Sequence, residues 1–340
     1  MSKKNSNVQS LKSIFKKNDK ILEIYLNFRK NLKRTIKNKP FIVAISGGPD
    51  SLALAALSKL YQQEHKVKVL FVLVDHGIRK NSKREANQVK KILREKKITL
   101  KIIRNDKKIL KNIQSKARNI RYDLLIKSCI RNKAKFILTA HHSDDQVETF
   151  FIRLSRGSGI QGLSSMKKIT KLNKTIKLVR PLLEYKKKDL IFIAKKFFGG
   201  FISDPSNKNK KFLRIKIRSL KKNLEKSGIH HDQIIKSINN LASTRDMLNE
   251  YLEKASFKCV KKKNNETSIN LKKLFLESDE VKLKVLGRAI KDFSKSYYPP
   301  RSKKIFYALK KLSSPNRVKL TLGGCFLEKR GDFLSIKKEV

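Results

Sequence analysis

The chain has 340 residues, of which 83 are lysine or arginine and 28 are aspartate or glutamate, so its formal net charge is +55. This length suffices for two domains, and a field of this sign favours a polyanionic partner. The apolar runs are too short to cross a bilayer, no secretory signal is expected, and three scattered cysteines disfavour a thiolate metal site and indicate a reducing, cytoplasmic compartment.

The predicted elements begin with a basic N-terminal helical extension, residues 1–37, and then alternate between strand and helix up to residue 225. The expected core positions of the extension are Leu11, Ile14, Phe15, Leu22 and Leu26. The predicted strands are 41–45, 67–74, 98–104, 136–140 and 176–185, and the predicted helices are 50–64, 81–96, 114–132, 143–155 and 187–198. This alternation over 38–225 predicts an α/β fold, a parallel sheet flanked by helices, which binds ligands beyond the carboxyl ends of its strands.

The last part of the chain, residues 226–340, is predicted to be a separate, mainly helical domain that ends in short strands. Its predicted helices are 230–262, 270–277, 280–296 and 301–312, and its strand-like pieces are 317–322 and 333–337. A strongly basic segment at 208–222 precedes this domain. The domain boundary is therefore placed between residues 225 and 226.

The stretch FIVAISGGPDS, residues 41–51, reads as a buried strand that turns abruptly into a helix. Gly47 and Gly48 allow close backbone approach, while Ser46 and Ser51 supply hydroxyl donors at a helix N-terminus. This combination predicts an anion site, most simply for phosphate, and the alternative is an ordinary tight turn with a helix cap. The stretch matches neither the lysine-bearing nucleotide loop nor the dinucleotide-binding motif.

Seven motifs together resemble one family. They are SGGPDS, VDHGIRKNSKREA (74–86), ARNIRYDLL (117–125), TAHHSDDQVET (139–149), RLSRGSGIQGL (153–163), RPLL (180–183) and DPSN (204–207). The first is similar to the pyrophosphatase loop of enzymes that cleave ATP to AMP and pyrophosphate. The whole set, over residues 38–218, resembles the bacterial tRNA(Ile)-lysidine synthetases. One departure is Ile215, which stands between Arg214 and Arg218 where the family usually has asparagine. The two arginines are interpreted as contacts either to RNA or to the transition state.

The resemblance implies an adenine nucleotide α-hydrolase-like fold and a ligase that uses ATP and Mg²⁺. The substrates it implies are the isoleucine tRNA with a CAU anticodon and free L-lysine. The wobble cytidine is first adenylated, with loss of pyrophosphate, and the lysine amine then displaces AMP from C2. Residues 226–340 are then expected to bind tRNA, no membrane is involved, and the oligomeric state stays open, with a homodimer among the alternatives.

The resemblance also implies roles for individual residues. The ATP-binding residues are Ser46, Gly47, Gly48, Pro49, Asp50 and Ser51, and the catalytic residues are Asp50, Arg118, His141 and Asp145. Lysine is assigned to Asp145, Glu148 and Arg121, and tRNA to Arg214, Arg218, Lys221 and Lys222. Asp50 repels phosphate, so its presence suggests a bridging Mg²⁺ ion or, alternatively, a helix cap. Asp75 and His76 either contact the adenosine or cap the next element.

Spacing places His141, Asp145 and Glu148 on one helical face, where a carboxylate could deprotonate the lysine ammonium. Three rival functions remain open at this point. A metal-dependent phosphohydrolase would use the His and Asp residues but leaves SGGPDS unexplained. A tRNA thiolase on the same loop would need a catalytic thiol or an iron–sulfur cluster. A non-catalytic RNA-binding protein would explain the charge but not the polar clusters at the strand ends.

Overall fold

The computed structural model describes residues 18–78, 81–105, 113–202, 213–263, 265–296 and 299–339. The chain divides into two compact units, residues 1–240 and 241–340. This division falls inside a long helix, His231–Cys259, whereas the boundary predicted after residue 225 concerns function and stays a prediction. Among the described helices, none combines the length and apolar character that a membrane crossing requires.

The first unit contains an α/β sheet, which confirms the predicted fold class. Its elements are α1 (Asp19–Ile36), β1 (Phe41–Ile45), α2 (Pro49–His65), β2 (Val69–Asp75), α3 (Ser82–Glu95), β3 (Leu100–Arg104), α4 (Ile113–Arg131), β4 (Phe136–Leu138), α5 (Ser143–Leu154), α6 (Ile160–Leu163), β5 (Ile169–Lys171), β6 (Lys177–Val179), α7 (Lys187–Phe198) and α8 (Leu213–Lys226). The strand order is β3-β2-β1-β4-β6-β5. All neighbours are parallel except the pair β5 and β6.

Strand β1 carries no polar residue because it lies at the centre of the sheet. Its neighbours are β2 on one side and β4 on the other, so the sequence FIVAI has no solvated edge. Helix α2 is also buried on most of its circumference, including the whole run from Ser51 to Ser58, because it packs between β1 and α7. A helix that is covered on several sides tolerates few polar residues, which accounts for the sequence LALAAL.

Helix α1 corrects part of the sequence prediction. Its buried stripe consists of Ile21, Ile24, Tyr25, Phe28, Leu32 and Ile36. The prediction for Leu26 is wrong, because its side chain is 41% exposed, and Leu22 is only half-buried. Leucine content alone does not give the phase of a helix, because the buried stripe combines Leu32 with isoleucines and aromatic residues. The predicted core residues Leu11, Ile14 and Phe15 lie outside the described residues.

The second unit adds an antiparallel sheet to its helices. After α9 (His231–Cys259) its elements are β7 (Val260–Lys262), β8 (Thr267–Asn270), α10 (Leu271–Phe275), α11 (Asp279–Ser294), α12 (Ser302–Leu312), β9 (Lys319–Thr321), β10 (Cys325–Arg330) and β11 (Phe333–Lys338). The strand order is β7-β8-β11-β10-β9. The sequence predicted strands near β9 and β11 only.

Strand β10 was missed because the charged residues Glu328 and Lys329 occupy two of its buried positions. The Glu328 carboxylate accepts hydrogen bonds from the Arg317 guanidinium and pairs with Arg330 at 3.0 Å. The Lys329 ammonium donates to the carbonyl of Leu312 at 3.0 Å. These pairings let β10 lie inside the sheet without the alternation of apolar and polar residues that reveals a strand.

Candidate active site

Two polar segments, one after β1 and one after β4, meet at the point where the strand order of the sheet reverses. From β1 the chain crosses to β2 on one side, whereas β4 lies on the other side of β1. The register pairs Phe41 with Phe136 and Val43 with Leu138, so the carboxyl ends of the two parallel strands lie at the same edge of the sheet. The loop after β1 and the segment after β4 therefore lie side by side. Such switch points form the binding crevices of doubly wound sheets.

The loop after β1, residues 46–51, is organised around one hydroxyl. Ser51 Oγ accepts hydrogen bonds from the backbone N–H groups of Ser46 and Gly47, each at 3.1 Å, and donates to the carbonyl of Gly48 at 3.0 Å. Gly48 is the N-cap of α2 and Pro49 begins the helix, which suits its fixed φ. The N-terminus of α2 thus opens toward the crevice with its partial positive charge, as an anion site requires.

The two glycines of this loop serve different purposes. Gly47 has φ +86°, and a Cβ atom there would lie 2.5 Å from Cγ2 of Val89 on α3. Gly48 has φ −73°, and the nearest atom to its Cβ would be the hydroxyl of Ser46 at 3.9 Å. Of the two glycines, Gly47 alone has a positive φ. At Gly48 neither the backbone conformation nor a nearby atom of the described residues excludes a side chain.

His142 links the phosphate loop to helix α5. It is 1% exposed, and its Nε2 lies 3.6 Å from Oδ2 of Asp50 and 3.5 Å from Oδ2 of Asp145. Its Nδ1 lies 3.7 Å from Oδ2 of Asp144. Burial lowers the pKa of His142, but the hydrogen bond and charge of Asp50, with the charges of Asp145 and Asp144, outweigh burial and raise the pKa above its ordinary value.

The sequence prediction selected His141 and passed over His142. The only signal for His142 was its place directly before a helix start rich in aspartate. Asp50 was considered as a possible helix cap, but Gly48 holds that position and Asp50 instead faces His142. The structure thus joins Asp50 and Asp145, both predicted to be catalytic, through a residue that was not predicted.

His141 lies before helix α5 and bonds to the strand end. Its Nδ1 is 2.9 Å from the hydroxyl of Thr139. Burial, helped by the charges of Arg180, Arg118 and Arg214 and opposed by Asp145, lowers the pKa of His141 to about 4. It is therefore neutral at pH 7. The helical face that was predicted to include His141 carries only Asp145 and Glu148.

Glu148 is buried beneath two arginines of α8. The guanidinium of Arg218 donates to both carboxylate oxygens, with Nη2 at 3.2 Å from Oε2, and Nε of Arg214 lies 4.0 Å from Oε2. Glu148 itself is 4% exposed. The ammonium of Lys221 lies 3.4 Å from Oδ1 of Asp144. Three residues predicted to bind tRNA thus lie against the carboxylates of α5.

The charge of Arg218 interacts with the carboxylates of Glu148, Asp145 and Asp50. Burial lowers its pKa, but Glu148, with smaller contributions from Asp145 and Asp50, raises it above the ordinary value. The guanidinium therefore stays charged while it is paired. The fourth residue predicted for tRNA, Lys222, is exposed. Ile215, which replaces the family's usual asparagine, is half-buried on α8.

Arg118 and Arg121 lie on α4, one turn apart as predicted, and have different neighbours. Arg118 stacks over the ring of Tyr122 at 5.1 Å, and it is near enough to His141 for its charge to lower the pKa of that histidine. Arg121 donates from Nε to Nε2 of His76 at 3.2 Å. Arg118 thus lies near the α5 segment, whereas Arg121 contacts the end of β2.

Asp75 and His76 follow β2 and shape its end. Oδ1 of Asp75 accepts a hydrogen bond from the backbone N–H of Gly77 at 3.0 Å, within the turn that directly follows the strand. Burial and the charge of Arg121, opposed by Asp75, lower the pKa of His76 to about 4. A neutral His76 accepts the bond from Arg121. The motif DPSN, residues 204–207, lies outside the described residues.

Two observations bear on the rival functions. Among the described residues, no three His, Cys, Asp or Glu side chains are grouped as the ligands of a metal ion. Cys129, Cys259 and Cys325 are all buried and free, and burial raises the pKa of each thiol, that of Cys129 to about 12. Such thiols are poor nucleophiles.

Comparison with known proteins shows the family to which the chain is related. Residues 18–224 match the PP-loop domain family. The chain is 33% identical over 307 residues to the tRNA(Ile)-lysidine synthase of Wolbachia pipientis wMel, spanning 89% of this chain and 71% of that protein. It is 30% identical over 323 residues to the tRNA(Ile)-lysidine synthase of Rickettsia typhi, spanning 93% and 74% respectively.

A solved structure shares the fold. The U34-tRNA thiolase NcsA from Methanococcus maripaludis, with its [4Fe-4S] cluster, superimposes with a TM-score of 0.56 and 24% identity, over 66% of this chain and 80% of that one. This likeness concerns the fold alone, whereas the sequence relatives extend over most of the chain. The chain belongs to the tRNA(Ile)-lysidine synthase family.

Proposed function

We propose that this protein joins lysine to C2 of the wobble cytidine of the isoleucine tRNA with a CAU anticodon, through an adenylated cytidine, with release of AMP and pyrophosphate. The observation that carries the proposal is that the side chain of His142 links the phosphate loop to a carboxylate of α5. Asp50 and Asp145 approach the same imidazole, that of His142, at 3.6 and 3.5 Å. Phosphate chemistry and amine chemistry can therefore share one crevice.

In the first step the protein must hold the triphosphate and stabilise charge on the α-phosphate. The N-terminus of α2 supports this role through its dipole and the open backbone at Gly48. Arg118 lies near enough to the α5 segment to contribute positive charge, because it lowers the pKa of His141. The neutral ring of His141 could donate one hydrogen bond to a phosphoryl oxygen.

Asp50 fits a Mg²⁺ ion that bridges to the phosphates. Its Oδ1 is buried and makes no hydrogen bond within the described part of the chain, while its Oδ2 faces His142. A carboxylate oxygen is a preferred ligand of Mg²⁺, which usually takes one or two carboxylates and completes its shell with phosphates and water. When bound, the ion would neutralise phosphate charge.

In the second step the lysine amine must bind and lose a proton before it attacks. Asp145 and Glu148 supply the negative charge that an ammonium requires, one turn apart on α5. Since Arg218 holds both oxygens of Glu148, an incoming ammonium competes with a guanidinium already in place. We therefore assign Asp145 as the first contact of the amine and Glu148 as the second.

Glu148→Gln should impair the second step more than the first, because the lost charge faces the amine, which enters only after adenylation. We expect adenylated tRNA to form at near-normal rates without lysine, and its conversion on addition of lysine to slow at least about tenfold. Labelled ATP and separately labelled lysine distinguish the two steps. The control is Arg218→Gln, which breaks the same ion pair and leaves the carboxylate. Equal losses in both steps, in both variants, would mean that the pair is only structural.

The proposed function and the thiolase alternative predict different effects of replacing the cysteines. Simultaneous replacement of Cys129, Cys259 and Cys325 by alanine should leave lysine incorporation within about twofold of wild type, because neither proposed step uses a thiolate. The measurement is incorporation per folded molecule, since buried cysteines also contribute to packing. A folded triple variant without activity would restore the thiolase interpretation.

The decisive experiment uses the purified protein with ATP, Mg²⁺, labelled lysine and the isoleucine tRNA bearing a CAU anticodon. Label in the RNA together with release of AMP supports the proposal, whereas inorganic phosphate without label supports a phosphohydrolase. A methionine tRNA that shares the CAU anticodon serves as the matched control. Cytoplasmic location and the homodimer stay predictions, which cell fractionation and sedimentation would test.

A further inference from the structure

Helix α12 of the second unit presents two adjacent aromatic rings to solvent. Phe306 is 52% exposed and Tyr307 is 54% exposed. The rings contact each other edge to face, with centroids 6.2 Å apart and planes at 70°. Isolated exposed apolar residues are common on protein surfaces, but two large rings in contact expose a continuous apolar surface.

The opposite face of α12 fixes this orientation. Ile305, Ala308, Leu309 and Leu312 are all buried in the core of the second unit. Because these four residues form one helical stripe, the helix cannot rotate to bury Phe306 and Tyr307 without exposing its anchoring face. The exposure of the rings is therefore built into the fold of this unit.

Lysines surround the rings on the same exposed face. Lys303 and Lys304 lie about one turn before the rings, and Lys310 and Lys311 lie about one turn after them. All four are exposed, and the helix contains no acidic residue. Lys303 and Lys310 are about 10 Å apart along the helix axis, from a rise of about 1.5 Å per residue. Positive charge thus flanks the aromatic surface on both sides.

We propose that α12 is a nucleic-acid contact in which Phe306 and Tyr307 stack on unpaired nucleotides while the lysines neutralise the flanking phosphates. The choice of tRNA as the occupant rests on the proposed function. Bases of single-stranded RNA stack on aromatic side chains, and a basic surface follows the backbone. Paired bases do not offer their faces in this way, so the occupant is a loop or a single-stranded end of the tRNA.

A membrane surface fits this helix less well. Helices that lie in a lipid interface insert a broad apolar face, but the apolar stripe of α12 is already buried in the protein. Two rings among four lysines leave little surface to insert. Two rings in contact, with a pair of lysines on either side, match a strand of bases and phosphates instead.

The test compares two variants of the full chain for tRNA binding over a range of salt concentrations. In Phe306→Ala/Tyr307→Ala we expect the tRNA Kd to rise at least about tenfold, with an unchanged salt slope, because stacking releases no counterions. In a variant with Lys303, Lys304, Lys310 and Lys311 replaced by glutamine, we expect the slope to flatten by about 0.7 for each phosphate that the lysines no longer neutralise.

Two controls separate ring loss from general damage. Phe333→Ala removes another exposed ring of the same unit, 51% exposed and next to Asp332, and should leave the Kd unchanged. Phe306→Tyr/Tyr307→Phe keeps both rings and should retain wild-type affinity. If the alanine variant binds tRNA like wild type, or if it weakens binding no more than Phe333→Ala does, the inference is overturned.

Further outcomes separate this inference from the proposed function. If wild-type protein binds no tRNA and incorporates no lysine, the proposed function fails. If wild type is active and α12 variants lose only affinity for anionic phosphatidylserine vesicles, α12 is a membrane contact and the inference alone fails. Binding to a short unpaired oligonucleotide that depends on both rings, while binding to duplex RNA does not, would support the stacking role directly.

Discussion

Asp50→Asn should abolish most AMP release while the protein stays folded. The substitution keeps the shape of the side chain, and Asp50 lies in a loop whose geometry depends on the Ser51 hydroxyl rather than on its carboxylate. It removes the charge that would hold Mg²⁺ against the triphosphate. We expect a loss of at least about a hundredfold in AMP formation, comparable to the removal of one strong charge stabiliser of a transition state.

The measurement is AMP release with the isoleucine tRNA at increasing Mg²⁺ concentration, together with thermal unfolding of both proteins. A shift of the Mg²⁺ dependence to higher concentration would locate the defect at the ion. The matched control is Asp292→Asn, which removes a carboxylate from a partly exposed pair with Lys262 in the other unit. Near-normal activity of Asp50→Asn with an unchanged Mg²⁺ dependence would exclude the assignment.

Gly47→Ala should destabilise the first unit, whereas Gly48→Ala should fold and bind ATP poorly. At Gly47 a side chain is disfavoured twice, by φ +86° and by the 2.5 Å approach to Val89. Together these effects cost about 2–5 kcal/mol in the free energy of unfolding. At Gly48 the backbone suits alanine, so only about 1 kcal/mol or less is expected from the changed N-cap.

Denaturant unfolding and ATP-binding calorimetry distinguish the two variants. The double variant Gly47→Ala/Val89→Ala should recover part of the stability, because it removes the clash and leaves the strained φ. A methyl group at residue 48 should weaken ATP binding, since it projects where the phosphates must approach the backbone. If both single variants lose the same stability and keep ATP affinity, the loop is not a phosphate site.

The sequence predicted the parts of this site that depend on local patterns. The phosphate loop could be recognised because a buried strand, two glycines and a helix start are contiguous in the chain. The start of helix α5 at Ser143 was predicted for the same reason. Leu26 was misassigned because the phase of α1 depends on what the helix packs against.

Contacts between distant segments could not be read from spacing. The pairing of Glu148 with Arg218 joins residues of α5 and α8, and no periodicity connects them. The resemblance therefore assigned Arg218 to tRNA, and its pairing with Glu148 was not predicted. The role of His142 was missed for a similar reason, because its contact with Asp50 exists only after β1 and β4 pair.

The pairing of β1 with β4 also determines which parts of the sequence can change in length among homologues. The phosphate loop and the α5 segment are far apart in the chain, yet their separation is set by two adjacent strands, whose spacing is about 4.8 Å in any sheet. The intervening segments from β2 to α4 do not enter that distance. Insertions or deletions in their connections should therefore accumulate among homologues without changing the separation of the phosphate loop and the α5 carboxylates, whereas a one-residue shift between β1 and β4 would displace one half of the crevice from the other.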